Sequence, residues 1–231
     1  MNARKALPAI VSSLKQLARE SGLTAFLKAA LRWMYYVAVT MPANAACQVR
    51  AADKLMIVAH PDDETLFFSR ELMASSGWLV LCCTNGSRAG RARGFRRAGT
   101  LLGFRTLIWN YADGNEVEMD ADRLSRAIRG ILEKQEWTVV ATHNQAGEYG
   151  HFQHRQLHRL VAGLSAGKQL LVPADSEMLE SEANRVSPEA LARKREVIAA
   201  CYGTEADRLS RLERYVQYEA TVSVAYPALG S

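Results

Sequence analysis

Short apolar runs alternate with amphipathic stretches along most of this chain, and that alternation limits the folds open to it. The runs cover residues 54–59, 78–84, 106–110, 137–142 and 169–172. Each has the length of a strand, and the first is apolar throughout after Lys54, as expected of a strand buried on both faces. Between them, residues 64–76 read as a helix ended by Gly77, and 91–102 as a helix stopped by Gly103. Residues 120–135 read as an acid-started amphipathic helix, and a His- and Gly-rich loop leads into a helix that runs to about Gly163. Residues 188–201 open a late helix with Pro188 near its start, and 215–226 read as a last strand. The pattern predicts an α/β, Rossmann-like fold: a mostly parallel sheet flanked by helices on both faces. Such sheets bind ligands at the carboxyl ends of their strands, so the residues just after Ala59, Thr84, Asn110 and Thr142 matter most.

Charge divides the chain in two. Residues 1–50 hold seven Lys/Arg and one acid, whereas the remaining residues hold 22 basic and 23 acidic side chains. The formal charge of +5 therefore belongs to the N-terminal segment, and a near-neutral body argues against a nucleic-acid partner. In that segment Leu7, Ile10, Val11, Leu14 and Leu17 fall at helical spacing, with Lys15 and Arg19 interleaved. Leu23, Phe26, Leu27, Ala30 and Leu31 continue the pattern, and an apolar stretch over 33–41 is closed by Pro42. The domains expected are a basic amphipathic helical extension over residues 1–50 and a body over 51–231. Three uses compete for the extension: a helix packed on the body or a partner, a helix lying on an anionic membrane surface, and a long leader ending at Ala43-Asn44-Ala45. No apolar run approaches the ~18 residues a transmembrane helix needs.

The four cysteines form no CxxC pair, so a thiolate zinc site or a redox motif is not expected. They read as free buried thiols in a reducing compartment, hence a cytoplasmic protein, peripheral to the membrane if the extension binds one. A P-loop and a GxGxxG fingerprint are both absent, which disfavours nucleotide chemistry.

Two clusters carry the chemistry. Ala59-His60-Pro61-Asp62-Asp63-Glu64 follows the first strand, and Gly147-Glu148-Tyr149-Gly150-His151-Phe152-Gln153-His154 follows the fourth. An Asp-Asp pair before a helix is ordinarily a cap. Two His- and carboxylate-bearing clusters at two strand ends of one sheet read instead as a site. A His nitrogen and an Asp oxygen across a turn suit zinc. The adjacent carboxylates diverge, so one can ligate while the other faces water. Of His151 and His154, one can complete a three-ligand site and the other can donate to a developing oxyanion. His158, one turn further on, reads as a structural or solvent-facing histidine, and His143 as a loop residue or one placed behind a ligand.

These motifs resemble the PIG-L/LmbE-like zinc-dependent N-acetylglucosaminyl deacetylases. Thr84-Asn85-Gly86, Leu102-Gly103 and Asp113-Gly114 fall in that family's order, so the resemblance spans about residues 53–225. It implies that His60, Asp63 and His154 ligate the metal, zinc or alternatively ferrous iron. It implies that Asp62 is the general base and that His151 steadies the oxyanion or protonates the leaving amine. Asp113 and an arginine of the 91–97 stretch, taken as Arg91, would hold sugar hydroxyls. The expected reaction removes an acetyl group from an N-acetyl amino sugar, free or carried on a larger glycan. The alternatives are an amidase acting on another amide, such as a thiol–sugar conjugate, and a sugar-binding protein without catalysis. Two departures stand out. Leu66-Phe67-Phe68-Ser69-Arg70 replaces a Gly-rich stretch, and Gln153 stands where many members have Asp. A glutamine holds no negative charge, so any tuning of His151 by that position would be lost.

Overall fold

A computed structural model of the chain describes residues 49–114, 116–165, 167–203 and 209–226. The extension expected over residues 1–50 lies outside these, apart from its last two residues. The described residues fall within one compact unit.

The strands are β1 (Lys54–Val58), β2 (Trp78–Thr84), β3 (Arg105–Tyr111), β4 (Val139–Thr142), β5 (Gln169–Pro173) and β6 (Thr221–Ala225). They form one sheet in the order β3-β2-β1-β4-β5-β6. All neighbours are parallel except β5 and β6, which run antiparallel. The helices are α1 (Asp63–Ala74), α2 (Ala89–Leu102), α3 (Ala121–Leu132), α4 (Phe152–Leu164), α5 (Ser176–Leu179), α6 (Pro188–Tyr202) and α7 (Glu213–Gln217). The α/β architecture read from the alternation is therefore the one found, with helices on both faces. Among the described residues, no helix is long and apolar enough to cross a membrane.

The period-2 geometry of β1 explains its unbroken hydrophobicity. Met56 and Val58 face the layer that contains Phe67, Phe95, Val197 and Tyr202, whereas Leu55 and Ile57 face the layer of Leu124, Ile128, Leu157 and Val161. Helices α1, α2 and α6 cover the first face, and α3 and α4 the second. Each buried Leu, Ile or Phe contributes about 1.5–3 kcal/mol. Helix ends follow local chemistry. Asp120 caps α3 by accepting from Arg123 N at 3.0 Å, and Ser187 caps α6 ahead of Pro188. A Cβ on Gly86 would meet Trp109 O at 2.6 Å, which is why that turn needs glycine.

The C-terminal end differs from the expected single strand. Residues 213–217 are helical, and the strand begins at Thr221. β6 is a half-exposed edge strand, so its apolar alternation is weak.

β1 is the central strand and pairs with β2 on one side and β4 on the other. After β1 the chain first builds outward through β2 and β3, then returns past β1 to β4. The carboxyl ends of β1 and β4 thus lie side by side where the strand order reverses, the place where such sheets open a crevice.

Candidate active site

The turn after β1 is strained. Asp62 lies at φ 108°, ψ −25°, a left-handed conformation that costs a non-glycine residue about 1–3 kcal/mol. Its surroundings hold it there. Asp62 N donates to Glu64 Oε2 at 3.1 Å, and Asp62 O accepts from Thr65 N and Leu66 N at 3.0 and 2.9 Å. Glu64 is itself fixed by Tyr202 Oη–H, which donates to Oε1 at 2.6 Å, and by Thr65 Oγ1 at 2.7 Å. Burial pushes the Glu64 carboxyl up. Arg91 closes the turn from α2: it donates to Pro61 O at 3.2 Å and stands 3.8 Å from Asp62 Oδ2.

Asp63 points the other way, into a buried group of histidines. Its Oδ2 accepts from His60 N at 2.7 Å. The same oxygen lies 3.2 Å from His60 Nδ1 and 3.3 Å from His154 Nε2. The two nitrogens are 3.2 Å apart. These three atoms form a nearly equilateral triangle. Tetrahedral zinc ligands at about 2.0–2.1 Å from the ion stand roughly 3.3 Å from one another, so the triangle has the dimensions of a zinc face.

Hydrogen bonding on the far side of each ring strengthens the fit. His154 Nδ1 donates to Glu148 Oε2 at 2.6 Å, and His60 Nε2 donates to Gln153 Oε1 at 2.8 Å. Each ring then presents a bare lone pair to the triangle. Two lone pairs and a carboxylate oxygen, all within 3.3 Å, have no donor among them, and a cation satisfies all three. Asp63 Oδ1 is buried without a hydrogen-bond partner. The donor set fits a borderline-soft divalent ion.

Electrostatics point the same way. Burial pushes His60 down, yet the Asp63 charge and hydrogen bonds to Asp113, Asp63 and Gln153 carry it up to about 10. Burial pushes Asp63 up, but the charges of His154 and His60 outweigh it and hold the carboxyl well below its ordinary range. Glu148 follows the same balance with His143 and His154 and falls to about 2. The site seeks positive charge, whether a proton or a metal ion supplies it.

Glu148 has no role in the motif-level reading, yet it organises the far side of the site. Besides His154 it takes His143 Nδ1 at 3.1 Å and Asn144 N at 3.0 Å, and it is fully buried. Its φ of 55° lies in the left-handed region between Gly147 and Gly150. An acid in a Gly-rich loop shortly before a ligand histidine was the available signal. His143 stacks on His154, with ring centroids 3.8 Å apart, and its Nε2 accepts from Ala59 N at 3.0 Å. It also offers a nitrogen within 4.8 Å of ligand atoms of Asp63 and His154.

His151 caps α4 at the mouth, with its ring centroid 4.8 Å from that of His60 and 4.5 Å from that of His154. It is half-buried, and burial together with the charges of His154 and His60 lowers it to about 4. Asp113, after β3, places Oδ1 3.3 Å from His60 Nε2, and its Oδ2 accepts from Asn85 Nδ2 at 2.9 Å. A cleft of about 600 Å³ lined by Glu116, Tyr149, Gly150, His151, Phe152 and Arg155 opens here. His158 is buried one turn below and donates from Nδ1 to His143 O at 2.7 Å. Gln153 differs from expectation. Its backbone N–H meets His151 Nδ1 at 3.3 Å, but its side chain turns to His60, because successive helix positions point to different sides. The fold thus brings His60, Asp62, Asp63, Asp113, His151 and His154 to one rim, with Arg91 behind Asp62.

Comparison with known proteins adds the remaining information. Residues 55–165 match the PIG-L family model, described as GlcNAc-PI de-N-acetylase. An uncharacterised protein of Acanthamoeba polyphaga mimivirus is 29% identical over 190 residues, covering 75% of this chain and 80% of that protein. The N-acetylglucosaminyl-phosphatidylinositol de-N-acetylase of Bos taurus is 25% identical over 152 residues, 60% of each. Among solved structures, the N,N'-diacetylchitobiose deacetylase of Pyrococcus horikoshii superposes with a TM-score of 0.56 at 16% identity, over 87% of this chain and 93% of that one. The 4-carboxy-2-hydroxymuconate hydratase of Pseudomonas putida gives 0.54 at 14% identity, over 78% and 98%. These two neighbours show the fold, which hosts more than one chemistry. The family match adds what the fold cannot: the stretch that matches the PIG-L model, residues 55–165, holds His60, Asp63 and His154 together.

Proposed function

We propose that this protein is a metal-dependent hydrolase that removes the acetyl group from an N-acetyl amino sugar of the N-acetylglucosaminyl type. The observation that carries the reading is the triangle of His60 Nδ1, Asp63 Oδ2 and His154 Nε2, with edges of 3.2–3.3 Å, beside the second carboxylate of Asp62. The family match supports the acetamide as the bond broken.

His60, Asp63 and His154 would hold the ion, zinc by its N/O donor set and otherwise ferrous iron. A bound ion of this kind polarises a carbonyl and brings the pKa of water to near neutrality. Asp62 is the base. Its carboxylate, one residue before Asp63 and 3.8 Å from Arg91, takes the proton of the attacking water. His151 is the complementary group at the mouth. Held neutral by burial and its neighbours, it donates a hydrogen bond to the carbonyl oxygen as charge develops there and helps the amine leave. Asp113 faces the opening, where it can accept from sugar hydroxyls, and Arg91 supports the Asp62 side of the same rim. The cleft beside His151 is of the size that small ligands fill.

Metal content and acetate release, measured together on wild type and His154→Ala, test the reading. Roughly one metal ion per chain, acetate from N-acetylglucosaminyl compounds, and loss of both in the variant are expected. Metal without acetate would move the reaction to another amide, and no metal under any loading condition would overturn it. The protein's cytoplasmic placement, and a membrane-surface role for residues 1–50, belong to this proposal on composition alone. Liposome flotation with and without that segment decides the latter.

A further inference from the structure

Gln153 is completely buried, and its side-chain amide is fully engaged. Its Nε2 donates to Ala112 O at 2.7 Å and to Val117 O at 2.9 Å. Carbonyl oxygens only accept, so the group facing them is the NH2 and the amide oxygen faces His60. His60 Nε2, 2.8 Å from that oxygen, must then be the protonated nitrogen. The lone pair is left on Nδ1, which stands 3.2 Å from both Asp63 Oδ2 and His154 Nε2. The two carbonyls flank Asp113 in sequence. Asp113 Oδ1 lies 3.3 Å from the same His60 nitrogen, so Gln153 is its nearer acceptor.

We infer that Gln153 is a positioning residue with two separable roles. Its carbonyl fixes the His60 tautomer that offers Nδ1 to a cation. Its NH2 clamps the segment bearing Asp113 over the same ring and so sets where Asp113 meets substrate. The inference rests on the deacetylase reading and assigns part of that site's affinity for metal and for sugar to one neutral side chain. The chemistry separates the roles. A carboxylate of the same length still accepts from His60 Nε2, but it offers nothing to Ala112 O and Val117 O and repels both. An aliphatic side chain of similar size supports neither role.

Wild type, Gln153→Glu and Gln153→Leu are compared in two measurements. One is zinc affinity by competition with a chelator, which needs no turnover. The other is KM and kcat for acetate release from N-acetylglucosamine. In Gln153→Leu, zinc affinity falls about 10- to 100-fold, the usual effect of removing a partner that orients a ligand histidine, and KM rises. In Gln153→Glu, zinc affinity stays within about threefold of wild type, because the histidine keeps its acceptor. Its KM rises about tenfold through loss of the two backbone hydrogen bonds, while kcat changes less. Equal zinc affinities in Gln153→Leu and wild type overturn the tautomer role. A wild-type KM in Gln153→Glu overturns the clamp. Should Gln153→Leu fail to fold, a fall of tenfold or more in the zinc affinity of Gln153→Glu overturns the separation of the roles. Wild type that takes zinc but releases no acetate overturns the substrate reading and leaves the zinc comparison to decide the tautomer. Wild type that takes no zinc overturns the proposed function and this inference with it.

Discussion

Glu148 Oε2 stands 2.6 Å from His154 Nδ1, and that contact decides which nitrogen of the ring is left bare at the centre of the site. A carboxylate behind a ligand histidine fixes its tautomer, orients the ring and raises its basicity. Glu148→Gln keeps the shape and removes the charge. Its zinc affinity is expected to fall about 10- to 100-fold, read by chelator competition on folded protein. A wild-type affinity would show that packing alone orients His154.

Asp62→Asn separates proton transfer from metal binding. Asn tolerates the left-handed region at least as well as Asp, so the turn at φ 108° should survive. Turnover is expected to fall about 10²–10⁴-fold with metal content unchanged. Asp63→Ala, by contrast, should lose both. Near-wild-type turnover in Asp62→Asn would remove Asp62 from the role of base.

Lys194 and Glu219 form a buried ion pair at 2.7 Å. The ammonium also donates to Leu66 O and Tyr215 O at 2.7 Å each, while Glu219 takes Ser69 Oγ and Arg70 N at 2.5 and 2.6 Å. The pair joins α6 to α1, α7 and the approach to β6. Lys194→Met leaves a buried charge and two carbonyls without their donor. Urea unfolding should show a loss of about 3–5 kcal/mol. A loss under 1 kcal/mol would mean that water enters and replaces the ammonium.

Alkaline pH should weaken the fold. Burial pushes the Cys82 and Cys83 thiols and the Tyr202 hydroxyl well up from their ordinary values. Unfolded thiols ionise near pH 8.5 and tyrosine near 10, whereas the folded groups keep their protons. The stability from this difference is complete below about pH 8.5 and is lost as pH climbs towards the folded values. Lys194, pushed down by burial, acts in the opposite sense. Thermal melts from pH 7.5 to 10.5 should show Tm falling, with a flatter limb in Cys82→Ala/Cys83→Ala. A flat wild-type profile would contradict the argument.

What could be read from sequence depended on how local its cause was. β1 and the turn holding His60, Asp62 and Asp63 are legible because an apolar run and a polar string sit side by side. The parallel sheet follows from the alternation, and the sheet brings His60 to His154 across 94 positions. The partners of Gln153 and Glu148 are less legible, because their roles depend on which ring each side chain meets after folding. Lys194 lies in the charged string Ala192-Arg193-Lys194-Arg195-Glu196 and reads as a surface residue. It is completely buried because its counter-ion arrives from Glu219, 25 positions on. β6 was blurred by its exposure at the sheet edge, with Val222 39% exposed.

The placement of β1 between β2 and β4 also sets a timetable. A nascent or partly folded chain that has paired β1 with β2 and β3 already holds His60 and Asp63, yet lacks His154 and Glu148 until β4 docks on the opposite edge. Closing so distant a contact is slow compared with forming the local units. The triangle therefore cannot assemble on a half-built sheet, and full-strength metal capture during biosynthesis would mark the moment at which β4 has joined β1.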